Sequence, residues 1–210
     1  MSKNPLHPEL SEPALEDLHQ WLATQVNLDH TLSEKEIGQL DQLCAAIYED
    51  YQPVINNIEY PADSILKSRP GLDIHALHSG MLLMGKDSAT PIHDHANCFS
   101  LSLVLQGTVT VTFYKETEQY DHANGICQIE KAHSIRLTAR QFSHLPARTK
   151  LLHRLATEDN PTCMLDMLFP ADTEAIKYWY LPLTTQGENP MHCRKISERE
   201  FSTNTMRIIT

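Results

Sequence analysis

From residue 72 to residue 169 the chain is a succession of short apolar runs, at 72–77, 81–84, 99–105, 108–114, 126–129, 134–137, 150–155 and 163–169, with Gly, Pro, Asn or Asp clusters between them. Such runs fit strands and are too short for helices. About eight strands joined by turns, with no helix-length crossover between them, fold as an antiparallel sandwich or barrel.

Two helices precede this region. In residues 11–24, Ser11 is a candidate N-cap, Pro13 suits a first turn, and Leu15, Leu18 and Leu22 recur at helical spacing. Further on, Ser33 and Glu36 form a capping-box pair, and Ile37, Leu40, Cys44, Ile47 and Tyr51 make one stripe that ends at Pro53. The expected organisation is one structural domain, with a helical segment over residues 1–60 packed on a β-barrel over 61–210. In the last forty or so residues, 178–181 and 206–209 are candidate strands.

The chemistry concentrates at Thr90-Pro-Ile-His-Asp-His-Ala-Asn97. His93 and His95 are two apart, so an extended backbone turns both imidazoles to one face while Asp94 points away. His153, in the strand-like run Lys150-Leu-Leu-His-Arg-Leu155, is placed to return from another strand to the same rim. Three neutral imidazoles form a facial ligand set with open coordination positions.

The other histidines of the 12 in the chain carry no motif. His75 and His78, read as strand residues, face opposite ways; His122, His133 and His144 read as loop or strand-end residues; His19 and His30 are helical or near helix ends. Tyr114 and Cys98 read as core. The five cysteines, Cys44, Cys98, Cys127, Cys163 and Cys193, are odd in number, widely spaced and without a Cys-x-x-Cys pair, so they read as free, mostly buried thiols.

A net charge of -10 without a Lys/Arg run argues against general affinity for nucleic acid or anionic membranes. No signal-like or membrane-length apolar stretch occurs, and the expected location is cytoplasmic.

Gly85, His93-x-His95, the closing Gly107 and the later His153 together resemble the cupin superfamily of jelly-roll barrels. The glutamate of the usual cupin motif falls at Ser100, so the carboxylate ligand is missing. An all-histidine site is similar to that of the thiol dioxygenases, and of cysteine dioxygenase in particular: His93-Asp-His-Ala-Asn97, Leu105-Gln-Gly107 and Leu152-His-Arg-Leu155 match its motifs. The resemblance covers roughly residues 65–170. It implies a mainly β, cupin-type jelly-roll barrel behind an N-terminal helical segment. It also implies a metal held by His93, His95 and His153, with Fe(II) as cofactor and Ni, Zn or Mn as alternatives, and a small thiol and dioxygen as partners.

The departures bear on the substrate. The cysteine and tyrosine that crosslink in many animal members align with Ser100 and near Leu168. The family's Ser-x-His-x-Tyr aligns with Met164-Leu-Asp-Met-Leu168, which puts Asp166 where a histidine is expected, either to orient a ligand imidazole or to bind a substrate amine. The carboxylate-binding arginine has no clean counterpart; counting lands on Lys67, with Arg69 two residues on, and these with Ser100 are the candidate substrate contacts. The expected activity is oxidation of a cysteine-like or other thiol carboxylate to a sulfinate. A cupin acting on a non-thiol molecule and a noncatalytic ligand-binding cupin are the alternatives.

Overall fold

The computed structural model describes residues 13–25, 31–60, 66–70, 74–95, 97–121, 125–170, 177–183 and 189–197, with the backbone alone at 66–70 and 118–120. Among the described residues two helices, α1 (Pro13–Thr24) and α2 (Glu34–Ile55), precede eleven strands. These are β1 (Leu66–Pro70), β2 (His78–Met84), β3 (Ile92–His93), β4 (Phe99–Gln106), β5 (Thr108–Asp121), β6 (Ile126–Thr138), β7 (Phe142–Leu145), β8 (Leu151–Ala156), β9 (Thr162–Phe169), β10 (Tyr178–Pro182) and β11 (Met191–Ser197). One sheet runs β1-β2-β9-β4-β7, and the other strands close a barrel in the order β10-β11-β6-β5-β8-β3. Among the described residues no helix is long and apolar enough to cross a membrane.

Strand alternation sorts the side chains into three cores. Leu101 and Leu103 of β4, Met81 and Leu83 of β2, and Leu165 and Met167 of β9 pack under the helices against Leu18, Leu40, Cys44, Ile47 and Tyr51. The opposite face, with Leu82, Met84, Val104 and Met164, packs on Val109, Val111, Phe113 and Leu155 of the closed barrel. Inside that barrel, each of its six strands contributes to a third cluster of Ile92, Tyr114, Cys127, Ile129, Leu152, Tyr180 and Cys193. The fold is thus a mainly β, cupin-type barrel carrying an N-terminal pair of helices.

The capping box forms as expected, with Ser33 N to Glu36 Oε2 at 2.7 Å and Glu36 N to Ser33 Oγ at 3.4 Å. Ser11 lies outside the described residues, as does 206–209. The stripe of α2 differs at both ends. Ile37 is 39 % exposed, whereas the helix runs through Pro53 so that Ile55, one turn after Tyr51, is also buried. A proline in the last turn forfeits one hydrogen bond, and the burial of Ile55 opposes that loss.

Other expectations change as well. The described part of 72–77 is a tight turn: Ile74 and Leu77 exchange backbone hydrogen bonds at 2.9 and 2.8 Å and His75 takes φ 51°. Its apolar residues anchor the turn under the helices, so His75 and His78 do not share a strand. The runs 126–129 and 134–137 belong to one continuous strand, β6, because the long β5–β6 ribbon carries the polar residues between them on its exposed surface. His133 therefore lies within a strand, its ring stacked 4.6 Å from Phe113. Strands β1, β7 and β11 are additional, while 178–181 falls within β10 as read. All five cysteines are buried thiols outside any disulfide.

Candidate metal centre

The segment entering β3 is stitched to the end of β8 by hydroxyls. Ser88 Oγ and Thr157 Oγ1 both donate to Gly85 O at 2.6 Å, and Ser88 N donates to Thr157 Oγ1 at 3.0 Å. Thr90 N donates to Leu155 O at 2.9 Å and Leu155 N to Thr90 Oγ1 at 3.0 Å. These bonds set the register in which His93 of β3 faces His153 of β8. Ile92 and Leu152 point into the closed barrel, so alternation turns His93 and His153 the other way, into the space between the sheets.

His95 completes the set. Its Nε2 lies 2.7 Å from His153 Nε2, which is 3.1 Å from His93 Nε2. The three rings are tilted 61 to 77° to one another, with centroids 4.5 to 5.0 Å apart. His93 Nδ1 sits 2.9 Å from Pro91 O, a bond that places its proton on Nδ1 and leaves Nε2 free as a donor to a metal. Exposures are 7 % for His93, 9 % for His95 and 1 % for His153.

Burial pushes His93 down to about 4, against the upward pull of Pro91 O and with a smaller push from the Lys177 charge. Burial likewise holds His95 and His153 well below the usual range, helped by their neighbouring imidazoles. Neutral imidazole is the form that binds metal. Ligand nitrogens at right angles around an ion at about 2.1 Å would stand about 3.0 Å apart, so the convergent Nε2 atoms suit one divalent ion. The three ligand atoms lie within 4.8 Å of one another.

Between the two histidines, Asp94 accepts from Tyr178 N through Oδ1 at 2.9 Å, and Asp94 N donates to Tyr178 O at 3.2 Å. This brings Trp179 over His93, with centroids 4.8 Å apart. Asp94 does point away from the site, and its task is to hold β10 beside it. Asp94, Trp179 and the neighbouring Lys177 were not legible as site residues, because the β3–β10 pairing spans more than eighty positions with no motif to announce it.

Asp166 stands mid-strand in β9, opposite Gly80 on one side and Ser102 on the other. Its Oδ1 is buried without a hydrogen-bond partner. Burial raises the carboxyl's pKa, while a hydrogen bond from Ser102 and the Lys177 charge pull it back. A Cβ at Gly80 would meet nothing within 4 Å, so the position opposite Asp166 is open.

Ser100 is buried two residues before Ser102 and is the register partner of Leu168. The two positions aligned with the crosslink are thus adjacent, occupied by a hydroxyl and an aliphatic side chain. Lys67 and Arg69 are register partners of Leu83 and Met81; their side chains lie outside the described residues. Tyr114 belongs to the cluster inside the closed barrel, and Cys98 is buried.

Two packed antiparallel sheets with three convergent imidazoles define a cupin-type barrel with a candidate metal centre. The chain belongs to the PCO_ADO family, cupin-type thiol dioxygenases dependent on non-haem iron, whose family model matches residues 72–202. Comparison with curated proteins found no match. Similar solved structures include an uncharacterised conserved protein with a double-stranded β-helix domain from Klebsiella pneumoniae, at 11 % identity and TM-score 0.43, covering 60 % of this chain and 87 % of that one. A cupin superfamily protein from Desulfitobacterium hafniense is 16 % identical at TM-score 0.40, covering 55 % and 85 %.

Proposed function

We propose that this chain is a non-haem Fe(II) dioxygenase that converts a small thiol to its sulfinate. The observation that carries the proposal is the convergence of His93, His95 and His153 through Nε2 without a carboxylate in the set. His93, His95 and His153 would hold the ion as neutral ligands and so would leave its double positive charge for an anionic substrate such as a thiolate. Ferrous iron, when bound, would supply the activation of dioxygen that the protein's own side chains lack. The overall change balances without an external reductant: R–SH and O2 give R–SO2H, both oxygen atoms forming bonds to sulfur, which loses four electrons to them.

The chain's own residues orient and enclose. The Pro91 carbonyl holds the His93 tautomer, and Trp179 covers that ring and excludes water from it. Asp166, with one buried oxygen unpartnered beside the open position at Gly80, accepts a hydrogen bond from a substrate amine. Ser100 stays as a candidate substrate contact, whereas Lys67 and Arg69 occupy register positions opposite Leu83 and Met81, on the sheet face that the helices cover.

The test is oxygen uptake by anaerobically iron-loaded protein over a panel of small thiols, with a His153→Ala variant beside it. Thiol-dependent uptake matched by sulfinate and lost in the variant is expected. Stoichiometric iron with no uptake on any thiol would instead favour a different substrate or a binding protein.

A further inference from the structure

Strand β10 is gripped from across the closed barrel. In the order β10-β11-β6-β5-β8-β3, two strands separate β10 from β5 in either direction, so no ladder joins the two. Tyr180 of β10 still donates its hydroxyl to Glu116 Oε2 of β5 at 2.9 Å, and Lys195 of β11 donates to the same oxygen at 3.0 Å. Alternation explains the meeting: Glu116 lies two residues after Tyr114, Lys195 two after Cys193 and Tyr178 two before Tyr180, all on the inner side of the barrel. Lys195 is the register partner of Tyr180, and its ammonium stands 4.9 Å from the ring centre of Tyr178 and 5.2 Å from that of Tyr180. Burial, and after it the Glu116 charge, raises the pKa of the Tyr180 hydroxyl, which therefore stays a donor. One carboxylate thus gathers both inward tyrosines of β10, and its side chain is only 23 % exposed.

Between those tyrosines, Trp179 points the opposite way and lies on His93. Strand β10 meets β3 at two register positions, Trp179 with His93 and Tyr180 with Ile92, continued by the Asp94–Tyr178 hydrogen bonds. A slip of one residue in so short a ladder would turn Trp179 away from His93. It would also carry the Tyr180 hydroxyl out of the barrel and away from Glu116, and a lost hydrogen bond to a shielded charge opposes that slip. We propose that Glu116 is a positioning residue of the metal centre: by holding Tyr180 and Lys195 it fixes β10 against β3 and keeps Trp179 on the ring of His93. The proposal rests on the His93, His95 and His153 triad as a metal centre and is independent of which molecule is oxidised there.

The experiment uses the full chain carrying Trp21→Phe, which leaves Trp179 as its one tryptophan. Two quantities are read: the emission of Trp179 in metal-free protein, and affinity for Co(II). Glu116→Ala is expected to move the emission to longer wavelength and to weaken Co(II) by about fivefold, short of the roughly tenfold cost of losing a direct support behind a ligand. Glu116→Gln keeps an acceptor for Tyr180 and should recover most of both. Tyr180→Phe removes the hydroxyl alone and should shift the emission in the same direction. Ile47→Ala destabilises the fold far from β10 and should leave emission and affinity in place. Unmoved emission in both Glu116→Ala and Tyr180→Phe would overturn the proposal, and Tyr180→Phe decides alone where Glu116→Ala does not fold. Equal changes in Ile47→Ala would overturn it too, by marking general loosening. Failure of the unsubstituted chain to take up Co(II) would overturn the metal centre and this proposal with it; the metal-free emission distinguishes that failure from a β10 that does not depend on Glu116.

Discussion

Asp94 and Tyr178 are joined twice, side chain to amide at 2.9 Å and amide to carbonyl at 3.2 Å, although 84 residues separate them. The residue between the two motif histidines therefore anchors the strand that lays Trp179 on His93. Asp94→Ala should lower affinity for a divalent metal by about tenfold, the usual scale for losing support behind a ligand. Asp94→Asn keeps an acceptor at Oδ1 and should lose much less. Co(II) titration of the three proteins checks this, and equal affinities would remove Asp94 from the support of the site.

Metal should stabilise the fold through the triad. The imidazoles belong to β3, the second residue beyond it and β8, which pair only once the barrel has closed, so the complete set exists in the native state alone. At about a hundred times its Kd, a ligand that binds only the native state adds about 2.7 kcal/mol. The midpoint of urea unfolding should rise with Co(II), fall back on chelation, and respond little to the metal in His153→Ala.

How far the sequence discloses this architecture depends on the range over which each signal acts. His93 and His95 were legible because strand alternation is local, His153 through the motif Leu152-His-Arg-Leu155 and its order in the chain, and the capping box of Ser33 and Glu36 is contained in four residues. Strand β11 was not, since Met191-His-Cys-Arg-Lys-Ile-Ser197 alternates weakly and gains its place only by pairing with β6 and β10. The run at 72–77 misled because buried apolar residues at Ile74 and Leu77 anchor a turn as readily as a strand. Lys177 lay furthest from view. Nothing around it in the chain marks a site, and only the β3–β10 pairing brings its charge near His93 and His95.

The turn between β4 and β5 depends on Gly107. It has φ +87°, and an added Cβ would stand 2.5 Å from Pro161 O and 2.7 Å from Thr162 Oγ1. That hydroxyl accepts from Thr108 N at 3.1 Å and donates to Thr108 O at 2.8 Å, so it cannot retreat without breaking the turn. Gly107→Ala should cost more than about 2 kcal/mol in chemical denaturation. Gly125→Ala makes the control: its φ of +64° carries the backbone penalty, but the nearest atom to a new Cβ is 3.7 Å away, and the loss should stay near about 1 kcal/mol.

Two isoleucines of α2 separate the helix's own propensity from its attachment to the sheet. Ile47 is fully buried among residues of both helices and the outer face of the five-stranded sheet. Ile47→Ala removes that apolar surface and leaves a cavity, at a cost of about 3 kcal/mol. Ile37, ten residues earlier on the same apolar pattern, is 39 % exposed, and Ile37→Ala should change stability by less than about 0.5 kcal/mol. Urea unfolding of the two variants measures the difference. Comparable losses would mean that Ile37 is covered in solution by something other than the described residues, whereas the expected contrast ties the stability supplied by α2 to the sheet that carries β4 and β9.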